Sequence, residues 1–358
     1  MQFEQFEVRR NSLAETRVAS GDIPALVDGE ILTKVDRFAL TANNVTYGIV
    51  GEKFGYWRFF PIENGWGIIP VWGFADVIDS QHPDVQKGER LYGYFPMGTH
   101  LVMRPGKLKG SRLIDTAAHR AELPLVYNAY VRTSEETTFD ASMEDERMLL
   151  MPLYATSFCL YDFLQDNDYF GASQIIIPSA SSKTAIGLAY ALKADSESRV
   201  CVGLTSPGNM KKVEALGLYD EVATYGDLES IDDTKATVIV DMSGNGTVLS
   251  DLHALLGDNM KYTSNVGVTH YDENEMGPHF IRERSAMFFA PAHIQKRTQE
   301  WGPGEFEKRA YRFWHDASIK SREWLNIEHH NGMDALANVY RLLLAGKVAP
   351  DKGIIASL

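Results

Sequence analysis

The sequence predicts an α/β protein, a β-barrel-type domain followed by a doubly wound parallel-sheet domain. Three observations carry this. Short apolar runs punctuated by turn residues fill the chain up to residue 145. From 174 to 266 apolar runs alternate with amphipathic segments, and one apolar, helix-like stretch from Arg147 to Leu164 separates the two regions. A length of 358 residues makes two domains the default expectation, and 44% hydrophobic against 23% charged residues is the composition of a folded chain.

In the first region, strands are expected over Glu30 to Val35, Gly67 to Ile78, Arg90 to Phe95 and His100 to Met103. Asp28-Gly29, Gly65, Pro83 and Lys87-Gly88 mark the turns between them. The break falls near Glu144-Asp145-Glu146, which gives domains over 1–145 and 146–324. The second region predicts strands at Ile175 to Pro178, Val200 to Leu204, Glu221 to Ala223, Val238 to Asp241 and Tyr262 to Val266. Helices are expected near Thr184 to Leu192, Asn209 to Leu216 and Val248 to Leu255. Parallel strands buried on both faces read as unbroken apolar runs, as Ile175-Ile176-Ile177 and Val238-Ile239-Val240 do. Beyond Gly267 the chain turns aromatic and charged, suiting one or two amphipathic helices, and it ends in a helix stopped at Gly346 and a short strand from Ile354 to Leu358.

Charge and cysteine content remove several function classes. The 35 basic and 48 acidic residues leave a net charge of −13, which argues against nucleic acid or an anionic membrane as partner. Cys159 and Cys201 both lie in apolar segments, so neither a disulfide framework nor a cysteine-based zinc site is expected. The histidines form no ligand pattern, and no metal is expected. The N-terminus has no apolar h-region and no window approaches the ~18 consecutive apolar residues of a membrane span, so a cytoplasmic protein is expected.

The segment from Gln174 to Lys212 places strand, turn, helix and strand in the order of a dinucleotide-binding βαβ unit. In place of a glycine-rich turn stands Ser179-Ala180-Ser181-Ser182-Lys183-Thr184. Small side chains let a pyrophosphate approach the helix start, Ser179, Ser181, Ser182 and Thr184 add hydroxyls, and Lys183 adds charge. The second strand closes on Thr205 and Ser206, without the carboxylate that binds the ribose of NAD, and Lys211 follows; this favours NADP(H). Ser243-Gly244 and Val266-Gly267 stand at the ends of later strands, where the nicotinamide and its ribose would pass, and Tyr225 could cover the adenine. Each of these has an ordinary reading beside it: a capped turn for the serines, a solvated helix face for Lys211.

The order of segments resembles the medium-chain dehydrogenase/reductase superfamily, and especially its zinc-free quinone and enoyl reductase branches. The local matches are Val85-Gln86-Lys87-Gly88-Glu89-Arg90-Leu91, the run from Lys211 to Val222, and the closing LLLAGKVAPDKGIIASL. The resemblance implies a GroES-like catalytic domain completed by residues from about 325 to 358, a Rossmann domain over 146–324, and a homodimer. Zinc-dependent members carry an early cysteine and a Gly-His-Glu segment; Asn43-Asn44-Val45 and Val71-Trp72-Gly73-Phe74 hold those places here. With no zinc, a hydroxyl or amide must hold the developing charge on a substrate oxygen, and Tyr47, then Asn44, occupy the matching positions. Aromatic density nominates Tyr56, Trp57, Tyr94, Tyr127 and Tyr130 for an apolar substrate pocket. The implied activity is NADPH-dependent reduction of an activated C=C or C=O bond in a small apolar carbonyl compound such as an enone or quinone. The alternatives are a carbonyl or alcohol dehydrogenase with the same cofactor, and a non-catalytic module that binds a nucleotide or small molecule on the same fold.

Overall fold

The computed structural model describes residues 1–106, 108–195, 199–267 and 276–358. It divides into two compact units, Met1–Leu149 with Leu325–Leu358, and Leu150–Trp324.

In the first unit an N-terminal hairpin pairs Gln2–Arg9 with Ser12–Asp22, and the short strand Trp66–Gly67 joins its free edge. The larger sheet runs in the order Asn326–Asn331, Lys352–Ser357, Ile31–Leu40, Pro70–Ser80, Arg90–Pro96, Ala129–Arg132, Arg112–Ile114, with His100–Met103 on Ile31–Leu40. Its first two strands come from the C-terminal segment, which returns to complete this unit. At the start of the helix Glu144–Asp166, Glu144 accepts hydrogen bonds from Arg90 at 2.7 Å through each oxygen and from Arg37 at 2.6 Å. Burial pushes the Glu144 carboxyl up, and the two guanidinium groups more than offset this, leaving it below the usual carboxylate range.

The second unit is built on a parallel sheet of six strands, in the spatial order Glu221–Thr224, Val200–Thr205, Gln174–Pro178, Thr237–Asp241, Met260–Asn265, Ser285–Met287. In chain order this is 3-2-1-4-5-6, with the order reversing between Gln174–Pro178 and Thr237–Asp241. Side-chain alternation explains the apolar runs. Ile175, Ile177, Cys201, Val238 and Val240 face one core with Ala185, Ile186 and Leu188 of the helix Lys183–Ala194. Ile176, Val202, Leu204 and Ile239 face the other, with Val248, Leu249, Leu252 and Leu256 of the helix Gly246–Leu256. Both faces of each central strand are therefore buried, so no polar position interrupts the sequence. The fold is α/β, a GroES-like β domain with a doubly wound Rossmann sheet.

Cys159 and Cys201 are free and buried, and burial pushes both thiols up, that of Cys201 to about 12. No helix among the described residues is long and apolar enough to cross a membrane. Among those residues, no group of three His, Cys, Asp or Glu side chains is placed to hold a metal ion.

Candidate functional site

In the second unit the sheet's carboxyl edge gathers most of the nominated cofactor residues. Pro178 ends its strand and Ser179 takes a left-handed backbone, φ +61°, a region where a side chain costs roughly 1–2 kcal/mol and where a glycine would be at ease. The surroundings hold it there. The Ser179 N–H donates to the Tyr225 hydroxyl at 3.0 Å, the Ala180 N–H donates to Leu204 O, and the Ser182 N–H returns to Ser179 O at 2.8 Å. Ser182 is the N-cap of the helix Lys183–Ala194, its Oγ accepting the Ala185 N–H, so Lys183 and Thr184 are the first two helical residues.

The neighbouring strand closes on buried Thr205, whose carbonyl accepts the Tyr225 N–H at 3.1 Å. Asn209, which the sequence reading did not single out, bridges the two strand ends: its Nδ2 donates to Ser181 Oγ at 3.3 Å and Ser206 Oγ at 3.2 Å. Tyr219 is a second residue missed there. Its hydroxyl donates to Ala180 O at 2.8 Å, and its ring lies where a Cβ on Gly203 would stand, 2.8 Å away. The signal available in sequence was the glycine itself in the middle of a strand, which marks a close approach. Lys211 is exposed on the helix Met210–Ala215. Tyr225, expected as a cover for adenine, is tied by its hydroxyl to the serine turn, following the strand Glu221–Thr224.

The ends of the next two strands meet. Asp241 is buried, and its carboxylate accepts from the Ser243 N–H at 2.9 Å, the Ser243 hydroxyl at 2.6 Å and the Gly244 N–H at 2.9 Å. Burial pushes the Asp241 carboxyl above its usual range against the pull of these donors. Its backbone carbonyl accepts the N–H groups of both Val266 and Gly267, and the Met242 N–H reaches back to Pro178 O. A Cβ on Gly267 would stand 2.6 Å from Met242 O and 2.8 Å from Gly244 N, so only glycine lets these backbones approach.

The catalytic candidates lie in the first unit, on the helix Ala42–Ile49. Asn44 is buried with its amide committed: Oδ1 accepts the Thr41 N–H at 2.7 Å and Nδ2 donates to Pro70 O at 2.9 Å. That capping arrangement corrects its nomination as a donor, because the amide's task is to start the helix. Tyr47, almost one turn further on, enters an aromatic cluster. Its ring lies 4.5 Å from Tyr56 and 5.9 Å from Tyr94. Burial first, then the Tyr56 hydroxyl, pushes the Tyr47 phenol well up, with Trp72 and Asn43 pulling the other way. Tyr127 stacks on Tyr94 at 4.8 Å, and its hydroxyl is 3.3 Å from that of Tyr56.

Two nominated pocket residues have other tasks. Tyr130 is fully buried, its hydroxyl held between Tyr94 O and Arg120 Nη1, and its ring fills the notch at Gly93, where a Cβ would stand 2.2 Å from it. Trp57 fills notches at Gly51 and Gly67, 2.3 and 2.5 Å from where their Cβ atoms would be. Both are core residues, since a side chain locked into glycine notches presents no free face. Tyr56, Tyr94 and Tyr127 come together with Tyr47.

Residues 38–349 match the family model described as "Protein of unknown function (DUF2855)". The chain belongs to that family. No curated protein matches the sequence. The chain shares its fold with solved structures at low identity. CurA from Vibrio vulnificus, crystallised with NADPH, is 12% identical with a TM-score of 0.62, the alignment covering 99% of this chain and 98% of that one. The CurK enoyl reductase is 12% identical with a TM-score of 0.56, covering 100% and 99% of the two chains. The quinone oxidoreductase from Coxiella burnetii is also 12% identical at 0.56, with both chains covered completely.

Proposed function

We propose that this chain is an NADPH-dependent, zinc-free oxidoreductase that reduces an activated C=C or C=O bond of an apolar carbonyl compound of the enone or quinone type. The observation that carries the reading is the turn at the sheet's switch point. There a left-handed Ser179 and a helix starting at Lys183 adjoin a strand that closes on Thr205 and Ser206. Backbone amides and small side chains at a helix start suit a pyrophosphate. Hydroxyls and a lysine in place of an acidic residue suit a 2′-phosphate, which a carboxylate would repel. The fold shared with an NADPH-bound protein, an enoyl reductase and a quinone oxidoreductase supports the same direction.

The residues present fit this cofactor without a carboxylate to displace. When bound, reduced nicotinamide supplies a hydride. The chain's own part is to hold the substrate oxygen as negative charge develops, and Tyr47 O–H is the donor for it. Because its phenol is pushed up by burial, Tyr47 stays protonated and donates as a neutral group. Asn44 serves by fixing the start of the helix that carries Tyr47.

The test is a titration with NADPH and with NADH, followed by nicotinamide fluorescence, on the wild type and the Lys183→Ala and Lys211→Ala variants. Tight NADPH binding, weakened by either change and much poorer for NADH, is the expected result. Failure of both nucleotides to bind sinks the reading.

A further inference from the structure

Among the described residues, the strand Ser12–Asp22 is the longest of those that end a sheet. It has 11 residues, while Trp66–Gly67, Asn326–Asn331, Arg112–Ile114, Glu221–Thr224 and Ser285–Met287 have between 2 and 6. An open edge invites another strand, and proteins usually blunt it with lysine, proline, a bulge or short length. Ser12–Asp22 holds neither lysine nor proline. The one irregularity in its pairing, opposite Val8 and Arg9, lies at the loop end of the hairpin. From Thr16 to Asp22 the register with Val8 to Gln2 is unbroken.

The backbone of this edge faces outward. On the inner strand, the Phe6 N–H donates to Met97 O and Glu4 O accepts the Thr99 N–H, both at 2.8 Å, so the even-numbered residues there turn away from Ser12–Asp22. The odd ones, Phe3, Gln5 and Glu7, therefore bond to their partners Gly21, Ala19 and Arg17. On Ser12–Asp22 this leaves the N–H and C=O groups of Thr16, Val18 and Ser20 pointing out of the sheet, where no described strand meets them. Val18 is 47% exposed.

The side chains say what fits this edge. Arg17 pairs with Glu7 at 2.6 Å and Glu15 with Arg9 at 3.3 Å, and both guanidinium groups lie 4.1 Å from the Trp66 ring, so Glu15 and Arg17 share one face. Their side chains remain 54% and 47% exposed, each open to a second partner of opposite sign. Laid antiparallel on itself about Thr16, the strand sets Glu15 opposite Arg17, Ala14 opposite Val18, and Ser12 opposite Ser20. Centring the pairing on Glu15 or Arg17 sets a charge against itself, and centring it on Val18 leaves both charges opposite uncharged residues. Only the Thr16 register yields a row of alternating sign: Glu7, Arg17, then Glu15 and Arg9 of the second copy.

We propose that Ser12–Asp22 is a self-association edge, on which two copies of this chain pair antiparallel about Thr16 and join their hairpins into one continuous sheet. A second copy is the occupant because one strand supplies both halves of the charge match. The edge holds none of the residues nominated for cofactor or substrate, so the proposal stands apart from the reductase reading.

The experiment is sedimentation velocity on the full chain across a concentration series, with V18P, E15R, R17E and an equal mixture of the last two. V18P removes an outward N–H and leaves the bonds to Gln2–Arg9 in place. The wild type is expected to associate, and V18P to sediment at half its mass. E15R and R17E, each setting like charges opposite, are expected at half mass alone and at the wild-type mass when mixed, because each then supplies the charge that the other lacks. Should R17E unfold, since Glu7 loses its cation, V18P and E15R decide the matter. A wild type monomeric at every concentration overturns the proposal and leaves the edge to a segment of another protein. A mass unchanged in V18P, or folded E15R and R17E that stay at half mass when mixed, overturns it as well.

Discussion

The hydroxyl of Tyr225 accepts the backbone N–H of Ser179 at 3.0 Å, across the ends of two strands that are not neighbours in the sheet. Ser179 is held at φ +61° without the freedom of glycine, so this bond helps maintain a conformation that the residue would otherwise leave. Tyr225→Phe removes the acceptor and strands a partly buried amide. A loss of about 1 kcal/mol in the turn is expected, read as an NADPH dissociation constant raised about three- to tenfold and a small fall in the urea midpoint. Unchanged NADPH affinity would place the nucleotide away from this turn.

Gly203 offers a sharper probe of the same turn, because its neighbour Tyr219 carries the load on Ala180. A methyl group at 203 would stand 2.8 Å from the Tyr219 ring and 3.1 Å from the Ala180 Cβ, and the ring must shift to admit it. That shift strains the 2.8 Å bond from the Tyr219 hydroxyl to Ala180 O. Gly203→Ala is expected to destabilise the chain by about 1–3 kcal/mol in urea unfolding. NADPH binding should weaken in parallel, whereas Gly208→Ala, with open space around its Cβ position, should alter neither.

The sequence showed the second unit more clearly than the first, for a physical reason. Ile175-Ile176-Ile177 and Val238-Ile239-Val240 are buried on both faces, so burial wrote itself directly into composition. The strand Ser12–Asp22 has no buried residue, and Asn326–Asn331 has none either, with Ile327 its single apolar residue. Pairing with Gln2–Arg9 and Lys352–Ser357 makes them strands, and such pairing leaves no local pattern. The same limit applied to the aromatic cluster. Tyr56, Tyr94 and Tyr127 could not be told from Trp57 and Tyr130 by density, since the distinction lies in the notches at Gly51, Gly67 and Gly93. Asn44 was separable in principle: Thr41 three residues before it is the spacing of a reciprocal cap.

In the proposed reduction Tyr47 is the donor to the substrate oxygen, and Tyr47→Phe keeps its ring in the cluster while removing the O–H. For carbonyl reduction, kcat is expected to fall about 10²-fold, the scale of losing one donor to a developing oxyanion, with NADPH affinity unchanged. Because the phenol is pushed up by burial, the O–H persists through pH 10, so the wild-type kcat profile should show no alkaline loss below that pH. A fall between pH 8 and 10 that disappears in the Phe variant would contradict a neutral Tyr47.

His253 links stability to pH in a window well separated from the tyrosines. It is buried, with Nε2 2.9 Å from Thr263 Oγ1, while Nδ1 accepts the Ile281 N–H at 2.8 Å, so the neutral ring carries its proton on Nε2. Desolvation, and then the charge of Arg284, push it down from 6.5 to about 4. Between these values the unfolded chain binds a proton that the folded one refuses, so stability falls as the pH drops from 6.5 towards 4 and is level in this respect below. The full drop is on the order of 3 kcal/mol. His253→Gln removes the titration: the variant is expected to be less stable than wild type at pH 7, with the gap closing as the pH falls to 4. Urea midpoints measured across that range decide it, and a gap that does not depend on pH would remove His253 from the acid response.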